Sequence, residues 1–354
     1  MNLDILDSIA KRYIEDDFFS GVACQITVDG KEVLKKAYGQ SNRNTKKDVN
    51  LQTVFDLASI TKLFTTTIIL KLITEKKVSL STSLKECLPI TKDSNVLSSL
   101  TIYELLTHTS GLIAWHPLYT HLPNRMLFEI LSSLNLSGGK KGETLYSDLN
   151  FILLGEVIKY QTGNSLQLAV DNYLKKALKF KSLTYGPLID TENIAATEFG
   201  NQIEKQMCAD RNLTFSGWRD EVLPISGEVN DGNCHYFFDG QSGHAGLFSN
   251  LQDLISLGEL YLKGGEFEGT QFIDRNLIEL AIKPQYENRG LGWEMSQNFP
   301  IGFGHTGFTG TSLWVVPEIK MVVALLTNRL HVNSPKNIKP FRDQFFNEIL
   351  VLLK

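Results

Sequence analysis

A serine and a lysine three positions apart begin a strongly apolar stretch of this sequence, Phe55–Ile73. Asp56 and Ser59 are residue types that favour the entrance of a helix, and the apolar residues after them cover almost its whole circumference, as in a buried helix. Ser59 and Lys62 then share one face of the first turn and can touch. The positive end of the helix dipole can stabilise an alkoxide and disfavours a protonated Lys62. This pattern favours a nucleophile paired with its proton acceptor.

The same spacing occurs a second time, in Ser137–Lys140. That copy lies in a glycine-rich turn, and no apolar helix follows it. A serine at a helix start is usually only a cap, and a lysine one turn later usually points to solvent, so the spacing alone is weak evidence for catalysis. Other residues must show whether Ser59 and Lys62 are catalytic.

A tyrosine and an aspartate, Tyr146 and Asp148, precede a second predicted helix over Leu149–Gln161. A phenol titrates near pH 10, so Tyr146 can act as a base only beside a cation, which Lys62 would supply. The alternative is that Tyr146 is a packing residue and Asp148 a helix cap. Tyr286 is a rival tyrosine, but it lies in a polar stretch outside this region and ranks lower.

A third group of small and polar residues runs from His305 to Thr311 and leads into an apolar strand pattern. Small residues at a strand edge let a substrate lie close to the backbone. The N–H groups of Ser59 and Phe308 could then form an oxyanion hole, where the loss of one donor typically costs about 10²–10³ in rate. Without the other motifs, this stretch would be only a glycine-rich turn.

In this order, Ser-x-x-Lys, Tyr-x-Asp and His-Thr-Gly resemble the motifs of the serine β-lactamase-like proteins, in particular the branch of class C β-lactamases, penicillin-binding DD-peptidases and esterases. The likeness spans roughly residues 20–330 and includes four further stretches: Leu105–Leu112, Gly227–Asn233, Gly243–Ser249 and Leu326–Arg329.

The resemblance implies a role for each matching residue. Ser59 is the expected nucleophile and Lys62 its proton partner, and Tyr146 helps to activate the serine and later protonates the leaving group. The expected oxyanion hole consists of the backbone N–H groups of Ser59 and Phe308. The residues expected to face the substrate are Asp148, His305, Thr306 and Gly307. Neither a metal nor a cofactor is expected, and Glu228, His244 and Arg329 receive no role.

Two residues depart from the pattern of that family. Asp148 stands where many members have asparagine, and a carboxylate cannot donate an amide hydrogen bond and repels an acidic substrate. His305 stands where most β-lactamases have lysine. Since imidazole titrates near pH 6.5, a permanent cation for a substrate carboxylate is missing there. Both changes weaken the prediction of efficient β-lactam hydrolysis, although some peptidases and esterases of the fold carry histidine at that position.

The elements that must position these residues suggest an α+β fold. Four predicted elements together indicate one antiparallel sheet flanked by helices. They are a helix over Leu3–Asp16, a hairpin turning at Asp29-Gly30, a hairpin of Thr311–Val316 with Met321–Thr327, and a closing helix over Ile338–Leu353. Residues 78–239 show no strand patterns, and we interpret them as a mostly helical insertion with irregular loops. We therefore predict a sheet domain from residues 1–77 and 240–354.

Composition excludes some classes of function. The 354 residues are 42% hydrophobic and 21% charged, with a formal net charge of −4, which provides no basic surface suited to nucleic acid. No apolar run reaches the roughly 18 residues that span a membrane, and the acidic start lacks the basic and apolar regions of a secretory signal. We expect a cytoplasmic protein; its oligomeric state stays open.

Three hypotheses for function follow. The first is a serine hydrolase that forms an acyl-enzyme on Ser59 and cleaves an ester or amide of a small molecule or peptide. The second is a β-lactamase or a D-alanyl-D-alanine carboxypeptidase. The third is a catalytically silent binding protein on the same fold, against which the presence of Ser59, Lys62 and Tyr146 argues.

Overall fold

The computed structural model describes residues 4–89, 95–295 and 298–353. Its described strands are β1 (Gly21–Val28), β2 (Lys31–Asn42), β3 (Lys47–Asp48), β4 (Phe55–Asp56), β5 (Thr184–Tyr185), β6 (Leu247–Ser249), β7 (Glu266–Phe267), β8 (Thr270–Gln271), β9 (Glu294–Met295), β10 (Phe303–Thr306), β11 (Ser312–Val316) and β12 (Met321–Thr327). The main sheet is antiparallel, with the order β3-β2-β1-β12-β11-β10-β9. The predicted α+β class is confirmed.

Helices cover both faces of this sheet. The described helices of the whole chain are α1 (Asp4–Glu15), α2 (Thr61–Thr74), α3 (Leu84–Cys87), α4 (Asn95–Ser98), α5 (Ile102–Leu106), α6 (Leu127–Ser133), α7 (Asp148–Thr162), α8 (Leu166–Val170), α9 (Lys176–Leu178), α10 (Gln202–Ala209), α11 (Leu251–Leu262), α12 (Arg275–Ala281) and α13 (Lys339–Leu353). Helices α1 and α13 share one apolar core with the sheet, and α2, α7 and α11 share the core on the other face. No helix in the described ranges is both long and apolar enough to cross a bilayer.

Both predicted hairpins are present. Asp29 and Gly30 have φ values of +49° and +73°, and Val28 pairs with Lys31 across this turn. Positive φ at both central residues matches the right-handed twist of the strands that the turn joins. Strand β2 continues to Asn42 and also pairs there with β3.

The start of the central helix differs from the prediction. Phe55–Asp56 is strand β4, which pairs with β6, and Ala58–Ile60 forms a 3₁₀ turn before α2 begins at Thr61. The Asp56 carboxylate accepts the N–H of Ala58 at 2.8 Å and thereby fixes this turn instead of capping a helix. Helix α2 itself is buried nearly all round, as its apolar pattern predicted.

Between residues 78 and 239, the described chain is mostly helical. It contributes α3 to α10, and its named strand is the short β5, which joins β4 and β6 in a small sheet. Helix α7 begins at Asp148 and ends at Gly163, which adopts the left-handed conformation that favours glycine. The boundaries of the insertion stay a prediction. Helix α2 packs against α7, which brings the turn that carries Ser59 close to Tyr146.

Candidate active site

The predicted site residues come together in a cleft of about 710 Å³. Those that line it are Ser59, Tyr146, Asp148, His305, Thr306, Gly307 and Phe308. Lys62 is fully buried and contacts the wall of the cleft through Ser59. The rival Tyr286 is 41% exposed and is not among the lining residues. The second serine–lysine pair, Ser137 and Lys140, also lies outside the cleft.

A strained turn presents the serine. Ala58, directly before Ser59, has a φ of +46°, a left-handed conformation that is costly for a residue with a Cβ. The buried Asp56 carboxylate holds it, because it accepts N–H groups from Ala58 at 2.8 Å and from Asn230 at 2.7 Å. Burial raises the pKa of Asp56 to about 6, although these hydrogen bonds favour its ionised form. Such strain, held by the surrounding structure, is typical of functional sites.

Three oxygen acceptors surround the Lys62 amine. Its Nζ lies 2.9 Å from Ser59 Oγ, 2.8 Å from Asp148 Oδ1 and 3.1 Å from the carbonyl oxygen of His244. Burial is the largest single effect on the pKa of Lys62 and lowers it, but the combined charge effects and hydrogen bonds of Asp148 and Tyr146 outweigh burial and raise the pKa above its ordinary value. The helix dipole, which is expected to disfavour a protonated Lys62, therefore does not decide the direction in which its pKa shifts. The resting site contains an ammonium paired with a carboxylate.

Tyr146 lies over this ion pair. Its ring is 5.1 Å from Lys62 Nζ and 4.6 Å from the His108 ring, centroid to centroid. His108 Nδ1 accepts the N–H of Ser147, which fixes the backbone next to Tyr146. Burial, reinforced by the charge of Asp148, raises the pKa of Tyr146 despite the opposing effect of Lys62. Tyr146 is thus a neutral phenol in the resting site, able to donate a proton rather than to accept one.

The loop of residues 307–311 is called the oxyanion loop because it carries the Phe308 N–H that the sequence predicts for an oxyanion hole, and it is tied to the residues before Ser59. Thr309 Oγ1 donates to the carbonyl of Asp56 at 2.7 Å, and Thr311 Oγ1 donates to the carbonyl of Leu57 at 3.0 Å. A Cβ on Gly307 would lie 2.1 Å from Thr311 Oγ1 and 2.7 Å from the Leu57 oxygen, so only glycine fits there. These contacts hold the loop that carries the Phe308 N–H against the turn that carries the Ser59 N–H.

Arg329, left without a role by the sequence, contacts the same loop. Its Nε donates to the Phe308 carbonyl at 2.5 Å, and its guanidinium lies 4.8 Å from the centre of the Phe308 ring. His244 acts through its backbone carbonyl on Lys62, while its imidazole lies 3.0 Å from Asp231. Glu228 does not line the cleft. Arg329 therefore contacts the loop that carries the Phe308 N–H through both its guanidinium hydrogen bond and the Phe308 ring.

His305 lines the cleft as a neutral imidazole whose acceptor atom is buried. Its Nδ1 lies 2.9 Å from the Thr306 carbonyl, which can only accept, so the proton is on Nδ1 and Nε2 carries a lone pair. Nε2 has no partner among the described residues. Burial, together with the charges of Arg289 and Lys62, holds the pKa of His305 well below its ordinary range. His305 therefore does not gain a charge near pH 6.5, the condition that binding an anion would need.

A cation that the sequence analysis missed occupies this part of the cleft. The Arg289 guanidinium lies 5.3 Å from the centre of the Tyr146 ring, and its Nη1 is 3.8 Å from Glu294. Nε and Nη1 have no hydrogen-bond partner in the described parts of the chain. No local pattern marks Arg289, because it follows a polar stretch and reaches the cleft only when β9 joins the sheet. A guanidinium that lines the cleft suits a carboxylate.

The described residues contain no group of three or more His, Cys, Asp or Glu side chains that could hold a metal ion. The acidic residues near the cleft are instead engaged by protein groups. Glu204 accepts the N–H of Gly232 and the hydroxyl of Tyr119, and Asp231 pairs with His244.

Comparison with known proteins gives a consistent result. A family model described as Beta-lactamase matches residues 6–345. An N-acetylmuramyl-L-alanine amidase of Bacillus subtilis is 29% identical over 371 residues, which cover 92% of this chain and 82% of the relative. A putative D-alanyl-D-alanine carboxypeptidase of Salmonella typhi is 29% identical over 364 residues, which cover 91% of this chain and 82% of the relative.

Solved structures share the fold. A β-lactamase/D-alanine carboxypeptidase from Pseudomonas syringae superposes with a TM-score of 0.77 at 20% identity, with all of both chains covered. The hydrolase EstCE1, which has promiscuous acyltransferase activity, superposes with a TM-score of 0.73 at 20% identity over 97% of this chain and 98% of its own.

Proposed function

Because the chain belongs to the β-lactamase family, whose model matches residues 6–345, we propose that this enzyme is a serine hydrolase that forms an acyl-enzyme on Ser59. We further propose that it cleaves an amide or ester whose leaving group carries a carboxylate, as the last residue of a peptide does. The guanidinium of Arg289, which lines the cleft next to the phenol that serves the leaving group, is the observation that carries the second statement.

The contacts of Lys62 support a proton relay. Ser59 Oγ bonds to the carbonyl carbon while its proton moves to Lys62, and Lys62 passes a proton to Asp148. Both transfers follow existing contacts, of 2.9 Å and 2.8 Å. Neither a neutral phenol nor an ammonium can accept the serine proton by itself, so the carboxylate is the terminal acceptor. The N–H groups of Ser59 and Phe308 stabilise the oxyanion.

Tyr146 completes the first half-reaction. When the carbon–nitrogen bond breaks, its electron pair stays on the leaving nitrogen, which takes the proton of the Tyr146 hydroxyl. The phenolate regains a proton from Lys62, and Lys62 regains one from Asp148, so the serine proton has moved to the leaving amine. Water then attacks the acyl-enzyme, and its proton returns to Ser59 along the same groups.

The position of Arg289 indicates which side of the cleft would hold the leaving group. Since its guanidinium lies 5.3 Å from the Tyr146 ring, a leaving group protonated by Tyr146 can present a carboxylate to Arg289. The neutral imidazole of His305 supplies no charge that would compete with Arg289 for that carboxylate. Relatives named as a carboxypeptidase and an amidase fit this assignment, because both cleave amide bonds.

Matched substrates test the proposal. N-acetyl-D-alanyl-D-alanine and its C-terminal amide differ only in the leaving-group charge, and the same pair with an L-residue at the end tests stereochemistry. The carboxylate form should have the higher kcat/KM, and Arg289→Gln should remove at least tenfold of that preference with little change for the amide. Lys283→Gln, which removes an exposed charge outside the cleft, is the control. Equal rates for both forms in the parent enzyme would refute a carboxylate-bearing leaving group.

A further inference from the structure

Residues 242–246, which we call the glycine segment, run between α2 and α7 before β6 begins. Thr65 Oγ1, on α2, donates to the Gly243 carbonyl at 2.7 Å. Toward α7, a Cβ on Gly243 would lie 2.2 Å from the carbonyl oxygen of Phe151, so only glycine fits there. The segment lies in neither a helix nor a strand, so contacts with its neighbours, rather than a regular hydrogen-bond ladder, fix its backbone.

His244, within this segment, contacts two different parts of the site. Its carbonyl oxygen lies 3.1 Å from Lys62 Nζ and is one of the three oxygens around that amine. Its side chain is only 1% exposed, with Nε2 at 3.0 Å from Asp231 Oδ1 and Nδ1 at 2.8 Å from Ser242 Oγ. An ionised carboxylate can only accept hydrogen bonds, so the proton of the first contact is on Nε2. The backbone that contacts Lys62 is thus attached to Asp231 through its own side chain.

Asp231 is in turn next to a residue that fixes the turn before the nucleophile. The N–H of Asn230 donates to Asp56 at 2.7 Å. The same Asp56 carboxylate accepts the N–H of Ala58 at 2.8 Å, directly before Ser59. The chain at residues 230–231 therefore connects the His244 imidazole to the strained turn.

Asp231 is ionised in the resting site. Burial is the largest single effect on its pKa and raises it, but the charges of His244 and Lys62 and the hydrogen bonds from His244 and Cys234 together outweigh burial and lower the pKa. The Cys234 N–H donates to the same Oδ1 at 2.8 Å. Without the imidazole, this carboxylate would lose one of two hydrogen bonds to Oδ1, and an unsatisfied buried acceptor is costly.

Together these contacts form a closed ring around the nucleophile. Lys62 Nζ reaches Ser59 Oγ directly, at 2.9 Å. A second route runs from Lys62 through His244 to Asp231. It continues to the Asp56 carboxylate, which fixes the turn that carries Ser59. A misplacement of about 1 Å can cost about 10² in rate, so contacts that fix the distance between amine and hydroxyl have a catalytic consequence.

We propose that His244 and Asp231 are positioning residues, whose hydrogen bond holds the Lys62 ammonium in place for the reaction. This inference rests on the proposed function, because it takes Lys62 as the group that receives the proton of Ser59. Without the imidazole, the glycine segment loses its attachment to Asp231, and its carbonyl can move away from the amine. Lys62 then keeps Ser59 and Asp148 as acceptors, and the proton transfer from the serine loses its fixed geometry.

A role in folding alone would have a different signature. His244 is buried and is not among the residues that line the cleft, so it does not touch a substrate. Loss of a positioning contact should therefore lower kcat and leave KM nearly unchanged. Loss of a purely structural contact lowers the melting temperature and leaves the kcat of the folded molecules as it was.

Labelling by a fluorophosphonate measures the reactivity of Ser59 without a substrate. The labelling rate of His244→Leu, which removes the imidazole but keeps similar bulk, should be about 10–10²-fold below that of the parent. In His244→Gln, the amide still offers an N–H to Asp231, and most of the rate should return. With a p-nitrophenyl ester, kcat should follow the same order while KM stays constant.

Tyr185→Phe is the matched control. It removes the hydroxyl that donates to the Ser242 carbonyl at 3.0 Å, so it loosens the same segment without removing the contact between His244 and Asp231. Its labelling rate should match that of the parent. Asp231→Ala removes the same hydrogen bond from its other end and should show a similar loss, which gives a second measurement that does not depend on the folding of His244→Leu.

Three results would overturn the proposal. They are a parental labelling rate in His244→Leu or Asp231→Ala, a loss in His244→Gln as large as that in His244→Leu, and an equal loss in Tyr185→Phe.

A separate readout distinguishes this inference from the proposed function. A parent enzyme that the fluorophosphonate does not label would refute Ser59 as the nucleophile but not the positioning of Lys62. The ammonium nitrogen signal of Lys62 in an NMR spectrum, assigned with Lys62→Arg, should move in His244→Leu and stay in place in His244→Gln. The same signal position in the parent and both variants would overturn the inference whether or not Ser59 reacts.

Discussion

Replacing Asp148 by asparagine should change the pH profile of the enzyme rather than only its rate. The carboxylate lies 2.8 Å from Lys62 Nζ, and the side chains are 19% and 0% exposed, respectively. At an effective dielectric constant of about 20, two unit charges at that distance attract by about 6 kcal/mol. An amide keeps a dipole toward the amine but loses this attraction. Since burial opposes the charged form of Lys62, its pKa should fall steeply in Asp148→Asn.

The acid limb of kcat/KM then has a different origin in the two proteins. In the parent, a carboxylate is the terminal acceptor of the relay, so Lys62 does not have to lose a proton to solvent before the reaction starts. In Asp148→Asn, the only base is the Lys62 amine itself, and protonation of that amine stops the reaction. We expect the acid limb to move to higher pH by at least about two units, with activity recovered on the alkaline side.

The assay is the initial rate with a p-nitrophenyl ester from about pH 4 to pH 10, corrected for spontaneous hydrolysis. Asp171→Asn, at a half-buried ion pair with Lys175 outside the cleft lining, controls for the loss of a carboxylate. If Asp148 only contacts the substrate, its replacement changes KM and leaves the acid limb in place. That result would refute the relay through Lys62 to Asp148.

Two further changes test the supports of the site. Gly307→Ala places a methyl group 2.1 Å from Thr311 Oγ1 and must displace the oxyanion loop, so kcat should fall about 10²–10³-fold in the ester assay; an unchanged kcat would place the oxyanion donor elsewhere. Burial and the charge of Asp231 raise the pKa of Glu204 to about 8, from an ordinary value of 4.5. The contribution of Glu204 to the free energy of unfolding is therefore present below about pH 4.5 and is lost as the pH rises toward 8. The melting temperature should therefore fall between pH 5 and pH 8, and Glu204→Gln, which resembles the protonated acid, should flatten the fall; an equal slope in both proteins would contradict this.

The sequence predicts the architecture well because it depends on local patterns. Asp29-Gly30 marks a hairpin by itself, and the apolar circumference of α2 indicates burial wherever the helix packs. The order of Ser59, Tyr146 and His305 in the three motifs likewise leads to one cleft, and the structure brings these residues together.

The charges of the site could not be predicted in the same way. The ammonium form of Lys62 depends on its 2.8 Å distance to Asp148, which only the packing of α2 against α7 sets. Arg289 stands in an ordinary polar stretch of the sequence. Its importance lies in its position in the cleft, 5.3 Å from the centre of the Tyr146 ring, which only the folded structure sets.

Intact-mass analysis after incubation with a fluorophosphonate tests most directly whether Ser59 is the nucleophile. We predict one adduct per chain, located by peptide mapping at Ser59, lost in Ser59→Ala and retained in Ser137→Ala, which alters the other serine–lysine pair. An adduct that persists in Ser59→Ala, or that maps to any other residue, would contradict the central claim.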